Sequence, residues 1–144
     1  MANSNISDIA NGIELGENRS EGFELGEAIK AGKAVKKSTA AKVIKSTTSD
    51  DGLFLGIMGE HYNVDLDTQI TSGYDGTVVT EGYCPAFVDD PGEDLFAGAK
   101  LYEPESTSGN LSWTAGAEDK EEPVATLVRD ISNGDTVAII KLVR

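Results

Sequence analysis

Few residues in this 144-residue chain could do covalent chemistry. His61 is the single histidine, and no serine or cysteine stands near it in a nucleophile motif, so a catalytic triad has no support. No Gly-x-Ser-x-Gly, His-Glu-x-x-His or phosphate-binding loop occurs. Asp65 and Asp67 alternate along an extended segment, so both carboxylates would point the same way. Asp50-Asp51 and Asp89-Asp90 sit at turns. Paired carboxylates could hold Ca²⁺ or Mg²⁺ through oxygen, but EF-hand spacing is absent and turns favour aspartate for backbone reasons alone. Cys84 is the lone cysteine and reads as a small apolar filler; no disulfide framework or cysteine metal site follows from it. The residues predict no enzyme, no cofactor and no resident metal.

Binding chemistry is the alternative. Tyr62, Tyr74, Tyr83 and Trp113 could stack on sugar rings, although Trp113 fits a core or interface role better. Asn5, Asn18 and Asn110 each begin a short glycosylation-type triplet, a pattern common by chance. The formal charge is −13, which disfavours nucleic acid as a partner. Within residues 26–45 the sign reverses: Lys30, Lys33, Lys36, Lys37, Lys42 and Lys45 face only Glu27, a local net of +5. That strip is either a solvated surface or a docking strip for an acidic neighbour, another subunit or a larger assembly. No basic, apolar leader opens the chain, and no apolar run of about 20 residues could span a membrane.

The elements that position these residues are strands. Sixteen glycines and a single tryptophan suit short strands and turns. One phrase occurs twice, displaced by 66 positions: Gly26-Glu27-Ala28-Ile29-Lys30-Ala31-Gly32-Lys33-Ala34-Val35, then Gly92-Glu93-Asp94-Leu95-Phe96-Ala97-Gly98-Ala99-Lys100-Leu101. It predicts a backbone device: a short strand, a turn that needs glycine, a second strand. Each copy is followed by a variable stretch and an apolar strand, Leu53–Met58 and Val124–Val128. The copies differ in charge, since Asp94 and Phe96 replace Ala28 and Lys30, and this asymmetry places the first copy near an acidic partner. Further strands are expected at 42–45, 77–80 and 86–88, with Gly82 separating the last two and Gly56 at a bulge or close approach. Residues 26–45 favour helix on propensity, but Gly32 and Ser38-Thr39 tip them to strands. Asn133-Gly134 predicts a two-residue hairpin turn that pairs Val128 with Ile139, Leu127 with Ile140 and Thr126 with Lys141. The returning strand, apolar on both faces through Val143, should be buried from both sides.

Residues 1–24 read as an extended N-terminal arm with sparse apolar residues, Ile6, Ile9, Ile13 and Leu15 among them, that could order on a partner surface. Residues 25–144 read as one all-β domain, a compact β-barrel or β-sandwich-like fold.

The run Leu25-Gly26-Glu27 to Ala31-Gly32-Lys33-Ala34-Val35 resembles the decoration, or cement, proteins on the capsids of tailed double-stranded DNA viruses. So do Ala41-Lys42-Val43-Ile44, Leu53-Phe54-Leu55-Gly56-Ile57 and Gly134-Asp135-Thr136-Val137-Ala138-Ile139-Ile140. The resemblance spans residues 25–143. It implies a non-enzymatic structural protein on the outer capsid surface of the virion. It further implies a homotrimer that binds between major capsid protein subunits and stabilises the shell, with no nucleic-acid or membrane partner. Contacts are expected through Ile6, Ile9, Ile13 and Leu15 of the arm and through Lys30, Lys33, Lys36 and Lys37. The acidic excess resembles a virus of a halophilic archaeon. The alternative is a receptor- or carbohydrate-binding β-module on a virion or cell surface; a third reading is an enzyme with a small β-clip fold.

Overall fold

A computed structural model describes residues 18–37, 43–45, 54–59, 69–70, 75–105, 109–114 and 122–143. Among them there is no helix. The strands are β1 (Asn18–Glu24), β2 (Ile29–Lys30), β3 (Ala34–Lys37), β4 (Val43–Lys45), β5 (Phe54–Met58), β6 (Gln69–Ile70), β7 (Asp75–Phe87), β8 (Lys100–Leu101), β9 (Ala125–Leu127) and β10 (Val137–Leu142). The main sheet has the antiparallel order β4-β3-β5-β7-β10-β9-β8 and curls into a half-barrel. The segment Gly109–Ser112 bridges β3 and the chain just after β8: Gly109 accepts the Ala34 N–H (2.8 Å), and Ser112 and Tyr102 exchange backbone hydrogen bonds (2.7 and 2.9 Å). Strand edges that short would otherwise leave backbone groups unpaired.

The repeated phrase is a backbone device, and the two copies make the same bonds. Lys33 N–H reaches Lys30 C=O (3.3 Å), and Ala99 N–H reaches Phe96 C=O (3.2 Å). Gly32 and Gly98 take the positive φ that each turn demands, 91° and 98°. Gly32 N–H then donates to Met58, and Met58 N–H to Lys33; Gly98 N–H donates to Leu127, and Leu127 N–H to Ala99. All four bonds are 2.7–2.8 Å long. Each corner is thus pinned to the end of the apolar strand that follows it. The strand order β3-β5-β7 is mirrored by β8-β9-β10, and β7 pairs with β10 at the centre, Cys84 opposite Ile140.

The halves differ in what they bury. In the first half both faces are apolar: Ile29, Val35, Met58 and Val78 join Leu25 in one cluster, while Ala34, Ile57 and Val79 enter the main core from the other face. In the second half Leu101, Leu127 and Ile140 fill the core, but Lys100 and Lys141 of the opposite face are exposed. A sheet edge wetted on one side alternates in this way, while Val137 and Ile139 keep the same face of β10 covered nearer the hairpin turn.

Three expectations meet the structure here. The hairpin register is as predicted, Leu127 opposite Ile140 and Thr126 opposite Lys141, with Val128 N–H on Ile139 C=O (2.9 Å). The strands expected over 124–132 and 135–143 are shorter: the first stops at Leu127, the second starts at Val137, and Ile131 pairs with Leu95 instead. Val137 to Ile140 are buried on both faces, whereas Val143 is 47% exposed. Gly82 does not separate two strands: β7 runs through it, and it marks where β7 exchanges one partner for another, facing both Asn18 of β1 and Leu142 of β10. Residues 18–24 of the segment read as an arm thus form β1, laid on β7.

Gly56 sits at the bulge where β3 shifts register between Val35 and Lys36. A Cβ built there would overlap the Val79 carbonyl oxygen. Gly98, at positive φ, has open space where a Cβ would go. Gly56→Ala should therefore lower unfolding free energy by about 3 kcal/mol through a forced backbone shift. Gly98→Ala should cost about 1 kcal/mol through φ alone. Urea denaturation of both variants checks the order.

Candidate partner-binding corners

The first corner is folded into its own domain. Ile29 and Ala34 are fully buried and Ala31 nearly so. Phe87 N–H donates to Gly32 C=O (2.8 Å), and the Lys30 and Lys33 ammonium groups lie over the Phe87 ring at 4.9 and 4.4 Å from its centre. Such contacts contribute about 0.5–2 kcal/mol each. Lys33 Nζ also donates to Asn110 Oδ1 (2.6 Å), and Asn110 Nδ2 to Val88 C=O (3.4 Å). Of the four lysines singled out from sequence, the structure brings Lys30 and Lys33 together on one ring. Lys36 is buried at 5% exposure, and Lys37 is exposed at the end of β3. Ile6, Ile9, Ile13 and Leu15 lie outside the described residues, as do His61, Tyr62, Asp65, Asp67, Tyr74 and Asp50-Asp51.

The second corner is bare. Phe96, at the position of Lys30, is 73% exposed. Leu95 is half-buried, and Ala97, Gly98 and Lys100 are exposed. Beside them a groove of about 510 Å³ is lined by Leu95, Ala99, Tyr102 and Trp113, with Glu93, Lys100 and Thr114 on its walls. Trp113 is tethered through its Nε1–H to the Asp89 carbonyl (2.6 Å), whereas Tyr83 lies apart on β7 beneath Lys141. Sequence reasoning noticed Phe96 in place of Lys30 but read the difference as charge; the signal it carried was an aromatic side chain on a glycine turn.

Carboxylates fasten the loops around this corner. Asp90 Oδ1 accepts the N–H groups of Gly92 (2.9 Å) and Gly134 (3.0 Å). Asp94 Oδ1 accepts that of Asn133 (2.9 Å), Asp130 Oδ1 that of Ala97 (2.8 Å) and Asp135 Oδ2 that of Ser132 (2.9 Å). These aspartates do the backbone work expected of turn residues. Among the described residues no three His, Cys, Asp or Glu side chains converge as metal ligands would.

Among the described residues, two groups are displaced from ordinary ionisation. Burial pushes the Cys84 thiol up to about 12. Burial first and the nearby Glu105 second hold the Asp89 carboxyl above its usual range, and Lys33 opposes them. A raised carboxyl binds protons more tightly when folded, so its ionised form costs stability once pH rises past the unfolded value. Asp89→Asn should therefore raise the melting temperature at pH 7, and the gain should vanish as pH falls below the ordinary carboxylate range. Iodoacetamide at pH 8 should leave Cys84 unmodified in the folded chain and alkylate it in urea, read by mass spectrometry.

The family model of the phage structural cement proteins, described by E217 gp24 and Pam3 gp6, matches residues 5–143. No curated protein matches the chain in sequence. Among solved structures, a chain from the capsid of Myoviridae phage XM1 superposes with a TM-score of 0.67 at 15% identity, covering 90% of this chain and 85% of that one. The head fiber gp8.5 N base of bacteriophage phi29 covers 88% of this chain and 94% of its own at 11% identity, with a TM-score of 0.44. The first of these shares the fold.

Proposed function

The chain belongs to the phage structural cement protein family, and we propose that it stabilises a capsid shell by binding between major capsid protein subunits on the outer surface. Membership of that family, over nearly the whole length, carries the reading. The family is a structural one and not an enzyme class.

Clamping two subunits requires more than one contact surface on a single rigid body. The half-barrel supplies the body, and the arm before β1 supplies reach: Ile6, Ile9, Ile13 and Leu15 offer apolar anchors to a shell. Lys30, Lys33 and Lys37 offer positive charge to an acidic neighbour; Lys36, being buried, stands behind them. We assign the working form as a homotrimer, with no nucleic-acid or membrane partner. The acidic excess suits salt-rich surroundings, such as those of a halophilic host.

Co-sedimentation with shells assembled from the accompanying major capsid protein tests the reading. The full chain should pellet with shells and raise their melting temperature. A chain lacking residues 2–17, which keeps β1 whole, should bind at least tenfold more weakly. Failure of the full chain to bind would remove the proposed function; unchanged binding by the truncated chain would remove the arm from it.

A further inference from the structure

The two corners have one backbone and opposite fates, and this difference points to what covers the second. In the first half the corner is closed by the chain itself: Gly109 takes the outward N–H of Ala34, and Asn110 takes the Lys33 ammonium. The equivalent strand start in the second half is Lys100, exposed at the outer edge of β8, next to the groove of Leu95, Ala99, Tyr102 and Trp113. Phe96 projects beside it, 73% exposed. An exposed aromatic next to an aromatic groove is the composition of an interface centre.

Charge selects the occupant. Glu93 lines the groove with Lys100, Glu105 is bonded to Thr114 on its wall (2.8 Å), and Asp94 and Asp130 hold the turns beside it. The occupant must therefore bring positive charge together with apolar side chains. Most of this chain is acidic, but residues 26–45 carry six lysines against Glu27. Of these, Lys37 is exposed at the end of β3, beside β4, the terminal strand of that end of the main sheet. The sheet thus carries the exposed Lys37 towards one end and an acidic, aromatic corner at the other.

We propose that copies of this chain associate head to tail, the basic β3–β4 end of one docking against the Phe96 corner of the next. Such a contact is heterologous, so a ring closes if the rotation permits. The inference rests on the self-assembly part of the proposed function and identifies the acidic neighbour of the lysine strip as the second corner of an adjacent copy.

Sedimentation velocity of the full chain tests it, without shells. The chain should show concentration-dependent association that weakens at least tenfold between 0.1 and 1 M NaCl. Phe96→Ser should weaken it at least tenfold, with an unchanged circular dichroism spectrum. Lys37→Glu should weaken it too, and adding Glu93→Lys to that variant should restore part of the loss. A wild-type chain that stays monomeric at millimolar concentration, or association indifferent to Phe96→Ser, would overturn the proposal. So would charge reversal that neither weakens nor is rescued. A monomer that still binds shells sinks this inference and the homotrimer but leaves shell stabilisation standing; an associating chain that ignores shells does the reverse.

Discussion

Two backbone amides set the plan of this fold. The N–H groups of Gly32 and Gly98 each reach the carbonyl of a residue at the end of a later strand, Met58 and Leu127. Neither bond can form unless the turn before it adopts positive φ, and only glycine does so without strain. Once formed, the bond fixes where β3 meets β5 and where β8 meets β9. From there β7 and β10 follow as the inner neighbours of β5 and β9, and their mutual pairing joins the halves.

Side chains then break the symmetry that the backbone imposes. Ala34, Ile57 and Val79 make the first half apolar on both faces, whereas Lys100 and Lys141 leave the equivalent places of the second half exposed. The first corner can be buried only because a segment from far along the chain returns to cover it, with Asn110 closing on Lys33 across 77 positions. The second corner has no such segment among the described residues. The same turn therefore serves as core in one place and as surface in the other.

What the sequence revealed and what it hid follow the reach of each interaction. Asn133-Gly134 fixed its hairpin register because a two-residue loop leaves the pairing no freedom. The repeated glycines and Gly56 were legible for a similar local reason: each marks a place where a Cβ is excluded or a positive φ is required. Gly82 misled, since glycine commonly ends strands, whereas here it takes a positive φ inside β7, where the strand changes partners. The shortened hairpin was invisible because the pairing that stands in its place, Ile131 with Leu95, spans 36 positions. Burial of Lys36 and exposure of Phe96 were hidden likewise. Propensity and charge put lysine outside and phenylalanine inside, and burial is decided by packing between distant segments that no local pattern carries.

The handover at Gly82 has a mechanical meaning. β1 and β10 lie end to end along one edge of β7, meeting where Asn18 and Leu142 both face Gly82. β1 pairs with β7 alone, and its first residue, Asn18, is already paired opposite Gly82. A tug directed along the strand axis is resisted in shear by the whole ladder from Asn18 to Glu24 acting together. A tug across the sheet meets those hydrogen bonds one at a time. The fold is consequently stiff to a tether that runs parallel to β7 and yielding to one that peels away from it.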